Sequence, residues 1–572
     1  MITRRGRIDA PQRESDPVAD RLAIYHPNAK LGLGENPFGK DVANIGLYRS
    51  VARYGGYQPL TIVANGVLSD AALQSAFDPA QDANSRLAGA HVLNQRAVAE
   101  SGAVLHGFPR LRDLAWLRRR QVGDAAYSLI GMVHTLAPPV LRDEMAAHAL
   151  APLHPWDALI CTSPSVQSAL EQMFAEQGEY LAHRFGATRN VRPHLPLLPL
   201  GVDGERFAGL ADRPDVRARR RAEMGIADGD IVILWVGRLS YFEKAFPQAM
   251  FQAAQQAAAQ TGATVHYVQA GWFPGAEKDA ALYDEAARLY APNVRIHVAD
   301  GNDQDRLGEL WAVADIFISL VDNIQETFGI TPVEAMAAGL PVVVSDWDGY
   351  RFTVEDGEQG FRIPTLGGPQ DGIGARMAQS HVMLLESYQT YVGAFAQHTA
   401  VHIGKAADAI AQLIRFPDLR RRMGQAGRAR VRAMFDWPVI AKGVDALVDE
   451  LAQRREEGRA AAHPAGGLQP AKGDPFRDFA GFASQVLTDD TALAVAPGVT
   501  AADLDACQAI RLDTAFSGFR AKPEEIAQAF ALVASGTCGS VGAVLARTAL
   551  HRRGAMQLGL LWLCKRGLLD WL

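Results

Sequence analysis

The stretch at residues 315–363, DIFISLVDNIQETFGITPVEAMAAGLPVVVSDWDGYRFTVEDGEQGFRI, decides the fold. It opens on DIFISLV, a largely apolar run of the length and β-branched content of a buried strand. A loop carrying Glu326 and Gly329 follows, and then a helix opening near Thr331-Pro332, where a proline in the first turn gives up no helical amide bond. A second apolar run, PVVVSDW, comes next, so strand, helix and strand succeed one another as in a parallel sheet with crossover helices. In such a sheet a ligand binds outside the carboxyl ends of the strands, where a helix N-terminus offers unpaired N–H groups and the positive end of its dipole to phosphate. Glu334 stands eight residues after Glu326, about one turn inside the helix. One carboxylate on the loop and one on the first turn are placed to hold hydroxyls of a single polyol ligand, such as a ribose and a hexose flanking a diphosphate. Taken alone, Glu334 reads equally well as an ordinary first-turn glutamate complementing the dipole.

The same alternation runs outward in both directions. Toward the N-terminus the strand candidates are RLAIYHP, PLTIVAN, AVLHGF, YSLIGMVHT, ALICTSP and LPLLPLGV, ending near Gly201. A second series starts at IVILWVGRL (231–239) and continues through VHYVQAGW, VRIHVA, DIFISLV, PVVVSDW and GFRIP, with helices such as 247–260 and 331–338 between them. The fold class is therefore α/β, with two Rossmann-like doubly wound domains in succession. Residues 453–474, QRREEGRAAAHPAGGLQPAKGD starting at Gln453, are rich in Ala, Gly, Pro and charge and read as a linker. Beyond it, 475–572 form a small, mostly helical module with helical patterns at PEEIAQAFALVAS, SVGAVLARTAL and MQLGLLWLCKRGLL and a short apolar end. At the level of topology it is analogous to a winged helix. The basic, polar residues 1–20 read as a disordered lead-in that is neither a secretory signal nor an anchor.

Composition sets the outer limits. A chain of 572 residues corresponds to about three or four folding units. Lys plus Arg at 57 against Asp plus Glu at 63 give a net charge of −6, which argues against nucleic acid as a bulk partner. The four cysteines, Cys161, Cys507, Cys538 and Cys564, form no CxxC and no metal-ligand spacing, so a reducing, cytoplasmic setting fits. No run of 18 apolar residues appears, and no membrane span is expected.

The E-x7-E arrangement ETFGITPVE (326–334), followed by AMAAGLPVV, resembles the retaining glycosyltransferases of the GT-B fold, the group 1 family that includes glycogen synthase and sucrose synthase relatives. The likeness is strongest over residues 230–450, weaker over 20–200, and leaves the last hundred residues aside. It implies an acceptor-side N-terminal domain at 21–202, joined by a C-terminal crossover helix at 433–452, and a nucleotide-sugar-binding domain at 203–432, with LPLGVDGERF (198–207) as the hinge. WVGRLSYFEKAFP (235–247) resembles the family's glycine-arginine strand end followed by a lysine, which implies that Arg238 and Lys244 grip the donor diphosphate; the loop between them is one residue longer than the common spacing. LGLGENPFGKDVANIGLYRSVARYGGYQPLTIVA (31–64) resembles the family's glycine-rich loop and long first helix, and puts Gly39 beside the donor phosphates, with Phe38-Gly39 in place of a glycine pair. GMVHTL places His134 where the family has a histidine hydrogen bonded to the transferring hexose. His106, in VLHGF, is a second candidate, although a lone histidine at a strand end is more often structural. Phe328, Gly329, Ile330, Thr331 and Glu334 complete the implied donor-binding set.

Asp346-Trp347-Asp348 reads as DxD, a metal-binding signature in the other major glycosyltransferase fold. Because it follows PVVVS at a strand-to-loop corner, it reads here as a loop element, and no metal or cofactor is expected beyond the nucleotide-sugar co-substrate. The arginine clusters RLRDLAWLRRR (110–120) and RARRR (217–221) are either solvated helix faces, the favoured reading, or docking points for anionic lipid or an anionic acceptor. Residues 367–404 look like an insertion beside the cleft that shapes the acceptor site or an oligomer contact.

The resemblance implies a retaining, metal-independent glycosyltransferase of polysaccharide or glycoconjugate biosynthesis. It would move a hexose to a hydroxyl acceptor by front-face transfer, with His134, Arg238, Lys244 and Glu326 as its catalytic set. Peripheral contact with the inner face of the membrane, and a protein partner or a second copy bound through the C-terminal module, remain open. So do two alternatives: a sugar phosphorylase or epimerase of the same fold, and a catalytically silent GT-B scaffold that recruits partners through that module.

Overall fold

A computed structural model of the chain describes residues 21–27, 39–370, 372–516 and 518–572. The expected lead-in at 1–20 and the glycine-rich run before Gly39 lie outside the described residues.

The chain divides into two units, one ending at Gly467 and the other beginning at Leu468. The first unit holds two six-stranded sheets. One comprises β1 (Leu22–Tyr25), β2 (Leu60–Ala64), β3 (Leu87–His91), β4 (Ala103–His106), β5 (Ser128–Val133) and β6 (Ala158–Cys161), in the order β3-β2-β1-β4-β5-β6. The other comprises β7 (Ile231–Val236), β8 (Val265–Gly271), β9 (Arg295–Asp300), β10 (Ile316–Ser319), β11 (Val342–Ser345) and β12 (Gly360–Ile363), in the order β12-β11-β10-β7-β8-β9. Every pairing in both sheets is parallel. Two doubly wound Rossmann-like sheets are thus present, and each reverses its strand order once, between β1 and β4 and between β7 and β10. Those two crevices are where such folds take ligands.

The inner apolar runs become strands because helices cover both their faces, whereas the edge strands β3 and β9 stay partly exposed. In DIFISLV, Ile316, Phe317, Ile318 and Leu320 are all fully buried. The helix Gly39–Tyr54 buries Ala43, Leu47 and Val51, spaced four apart on one face. The long helix Trp437–Gly458 packs against it, with the hydroxyl of Tyr57 bonded to Asp445. Residues from the chain's last third are thereby bound to the first sheet.

Three sequence expectations need correction. LPLLPLGV is not a strand: Pro196 and Pro199 cannot donate to a ladder, and the segment makes only isolated pairings, of Leu197 with Cys161 and of Val202 with Asp436. The sixth strand is instead β3, LAGAH, whose small residues carry none of the β-branched signal. The segment read as a linker starts within a helix that runs on to Gly458, supported by ion pairs one turn apart such as Arg454 with Glu450.

The second unit is mostly helical, with Ala501–Ala509, Pro523–Ala534, Val541–Ala546 and Arg553–Lys565 around a core that includes Ile526, Phe530, Val541, Leu560 and Leu563. Its terminal strand Leu569–Trp571 pairs antiparallel with Leu493–Val495, ahead of all four helices. The apolar end therefore closes the unit instead of forming a hairpin wing.

Candidate active site

The carboxyl ends of the two sheets meet at a cleft of about 330 Å³. Gly39, His134, Arg238, Lys244, Glu326, Phe328, Gly329, Ile330 and Thr331 all line it. Glu334 and His106 do not.

Each lining residue is delivered by a local rule. β7 ends at Val236, so Gly237 and Arg238 stand at the strand's carboxyl edge. β10 ends at Ser319 and leads into the polar run DNIQE, which turns back over the edge before the helix Ile330–Ala338. Gly329 caps that helix with φ 82°, in the left-handed region, and a Cβ there would overlap the ring of Tyr350. Only glycine suits this position. Its amide donates to Glu326 Oε1 at 3.0 Å, and the amide of Thr327 reaches the same oxygen at 3.3 Å.

Lys244 Nζ lies 3.4 Å from Glu326 Oε2. Burial pushes the Glu326 carboxyl up, but Lys244 and the two amides outweigh it and hold its pKa below the ordinary value. Arg238 pairs with Glu243 in the loop between the two cations. Both cations thus rest on carboxylates.

The loop that carries Lys244 is tied down by residues the sequence reading missed. Asp322 Oδ2 accepts from the amide of Phe246 at 3.3 Å, and Asn323 donates its side-chain amide to the carbonyl of Phe242. Burial raises the pKa of Asp322 well above the ordinary carboxylate value, against the pull of the Phe246 amide. The available signal was a polar Asp-Asn pair just after the largely apolar run DIFISLV, where buried polar groups need a purpose.

On the facing sheet, His134 follows β5. Its Nε2 lies 2.7 Å from Asn44 Oδ1, while Asn44 donates its own amide to the carbonyl of Gly107 at 3.0 Å. That second bond orients the Asn44 amide, so its oxygen faces the histidine and Nε2 carries the proton. Burial, with Lys40 nearby, lowers the pKa of His134 to about 4, and the ring is neutral at physiological pH. Asn44 was missed too; a polar side chain on the buried face of the first helix was the clue. Thr327 donates its hydroxyl to the carbonyl of His134 at 2.7 Å and joins the two halves of the cleft.

His106 is buried at the end of β4, with Nδ1 3.2 Å from the carbonyl of Tyr25 and its ring tilted against Tyr25 and Phe108. These contacts hold it in the packing of the first sheet, outside the cleft. Glu334 is half-buried outside the lining, and its side chain makes no hydrogen bond among the described residues. Burial lifts its pKa to about 7 against the pull of Arg206.

The two carboxylates of the DxD sequence have separate partners. Asp346 faces Arg351 at 3.6 Å and Arg362 at 3.5 Å, while Asp348 accepts from Ser163 Oγ at 3.4 Å. Part of each arginine cluster turns inward: Arg118 is fully buried against Asp157, and Arg217 and Arg221 both pair with Asp315, while Arg110, Arg120 and Arg219 stay exposed. The inward-facing arginines brace the sheets.

A second cavity, of about 600 Å³, adjoins the first and shares Thr327 with it. Residues of the first sheet's connections, among them Leu136 and Met173, line it together with Trp347 and Asp348 and with Ala378, Val382 and Tyr391 of the insertion.

Residues 216–366 match the family model described as Glycosyl transferases group 1, which bears out over that segment the resemblance carried by the E-x7-E motif. A D-inositol 3-phosphate glycosyltransferase of Nocardia farcinica is 29% identical over 192 residues, which make up 33% of this chain and 40% of that protein. The corresponding protein of Mycobacteroides abscessus is 27% identical over 287 residues, 48% of this chain and 58% of that one. The chain thus spans about half the length of these two relatives. Among solved structures, Anabaena Alr3699/HepE in complex with UDP and glucose aligns over 77% of this chain and 99% of its own, at 14% identity and a TM-score of 0.45.

Proposed function

We propose that this chain, whose residues 216–366 match the group 1 glycosyltransferases, transfers a hexose from a nucleotide-diphosphate sugar to a hydroxyl acceptor with retention of configuration and without a metal. One observation carries the reading: the Lys244–Glu326 ion pair, 3.4 Å long, stands in one cleft with Arg238, the amide of Gly329 and the neutral His134.

A diphosphate entering the cleft offers Arg238 and Lys244 a more highly charged partner than a single carboxylate. Both cations turn to it, and the charge that builds on the leaving nucleotide is stabilised there. Glu326, released by Lys244 but still bonded to two backbone amides, keeps its orientation and accepts from hexose hydroxyls. Glu334, one helical turn beyond the lining residues Ile330 and Thr331 and with no side-chain hydrogen bond among the described residues, takes the ribose. His134 uses its unprotonated Nδ1 as an acceptor toward the hexose, while Asn44 holds the ring. None of these groups is a free nucleophile on the sugar's far face, so the acceptor enters on the face the phosphate leaves, and a phosphate oxygen takes its proton.

The reading is tested by thermal shift with UDP-, GDP- and ADP-sugars, followed by acceptor-dependent release of the nucleotide. One nucleotide sugar should stabilise the parent protein, and Lys244→Ala should abolish the effect. Stabilisation by none of the three, or undiminished transfer in Lys244→Ala, overturns it.

A further inference from the structure

The insertion after β12 folds as two helices, Ile373–Val382 and Tyr388–Ala396, joined by a tight turn. At that turn Val382, Met383, Leu384 and Leu385 are 64, 70, 87 and 77% exposed. Four consecutive apolar side chains in water have no folding rationale, since each would gain by burial. The helix Ile373–Val382 has no fully buried residue either, so the tip is held out from the body of the fold.

Position gives this tip a purpose. Val382 belongs both to the exposed run and to the wall of the second cavity, whose other apolar members include Leu136, Met173 and Ile324. The cavity in turn shares Thr327 with the donor cleft. An apolar path therefore leads from the outside of the molecule to the edge of the cleft where a sugar would be transferred. Arg142 and Arg351, with side chains 57 and 62% exposed, stand at the same cavity, and Arg376 is exposed on the insertion's first helix.

Resting on the transferase reading above, we propose that the acceptor is a lipid: the Val382–Leu385 tip enters the surface of a bilayer, and the acceptor's apolar chain lies in the second cavity with its hydroxyl toward the donor. A projecting apolar turn, with Arg376 on its own helix and the exposed Arg142 and Arg351, each also paired with a carboxylate, at the cavity it borders, suits the interface of an anionic membrane, where apolar side chains insert and cations meet headgroups. A protein partner would be better served by a flat or concave patch.

The test uses the full chain with vesicles of phosphatidylcholine and phosphatidylglycerol. The parent should co-sediment with them, and the variant carrying Val382→Ser, Met383→Ser, Leu384→Ser and Leu385→Ser should partition roughly tenfold or more less strongly. All four side chains are mostly in solvent, Val382 alone also touching the cavity wall, so the variant's melting temperature should stay close to the parent's. Stabilisation by the nucleotide sugar should be unchanged, because none of the four lines the donor cleft; its absence from the parent as well would count against the transferase reading and not against the lipid one. A diazirine on the acyl chain of the phosphatidylglycerol should label the cavity wall around Met173 or Ile324. A parent that ignores vesicles, a variant that binds them equally, or labelling confined to residues 382–385 overturns the proposal.

Discussion

Thr327 donates its hydroxyl to the backbone carbonyl of His134 across 2.7 Å, and in doing so joins the carboxyl end of one sheet to that of the other. The two residues are 193 positions apart, and both belong to loops that bear the site. Replacing Thr327 by valine keeps the shape and removes the donor, so a carbonyl at the cleft loses its partner. A loss of about 1 kcal/mol is expected for such a bond. Because the bond matters only when the halves are aligned, kcat/KM should fall by up to roughly tenfold, while donor affinity changes little. Steady-state kinetics beside a donor titration would separate the two.

Lys244→Ala removes the cation that holds Glu326 ionised. The folded pKa of Glu326 lies below its ordinary value, so its contribution to stability is present above the unfolded pKa and disappears as pH falls through the folded one. Without Lys244 that depression shrinks. Urea unfolding should show the variant less stable than the parent at pH 7, with the gap closing below roughly pH 4. Transfer should drop by about 10²- to 10³-fold, the scale of losing one preorganised charge on a leaving group.

The two cleft glycines should behave in opposite ways. At Gly329 a Cβ overlaps Tyr350 and φ is 82°, so Gly329→Ala is strained by the protein itself and should unfold at lower urea concentration. At Gly39 a Cβ meets nothing within 4 Å. Gly39→Ala should leave stability as it was and weaken only the binding of the nucleotide sugar, because the space it fills is the ligand's. Paired unfolding and donor titrations of both variants check the contrast.

The sheets were legible because parallel strands between helices are apolar on both faces and stand out as runs; of twelve strands only β3, built of Leu, Ala, Gly, Ala and His, was hidden. The helix N-terminus and its glutamate were legible for a similar reason, since glycine, proline and a buried strand in fixed order leave few geometries. Asn44, Asp322 and Asn323 were not. Each acts by holding another residue: Asn44 sets the tautomer of His134, and the other two hold the loop of Lys244. Such roles depend on contacts between distant segments, which no local pattern carries. The arginine clusters misled in part, because a run of like charges reads as a solvated face, which holds for Arg110, Arg120 and Arg219, and only the fold shows Asp157 and Asp315 beneath Arg118, Arg217 and Arg221.

Arg118 makes that last point measurable. Its guanidinium is fully buried and bonded to both oxygens of Asp157, at 2.6 and 2.9 Å, and to the carbonyls of Tyr127 and Pro152. Arg118→Met strands a buried carboxylate and should cost about 3 to 5 kcal/mol. Folded variant recovered at low temperature should retain the parent's donor affinity, as expected of a brace and not of a binding residue.

Asp348 offers a signature in the opposite pH direction from Glu326. Burial, reinforced by the nearby negative charge of Glu326, pushes its pKa up to about 8, even though Ser163 and the amide of Gly349 favour the ionised form. In the unfolded chain the same carboxyl ionises near pH 4. Between those two values the folded protein holds a proton that the unfolded chain has released, so stability falls as pH rises across this window and levels off above it. Asp348→Asn keeps a neutral side chain of the same shape, and asparagine tolerates the left-handed φ of 39° found there. Urea midpoints of the two proteins should nearly coincide at about pH 4 and separate steadily toward about pH 8, with the asparagine variant the more stable. A constant difference across that range would mean that Asp348 is ionised in the folded protein and not kept neutral beside Glu326.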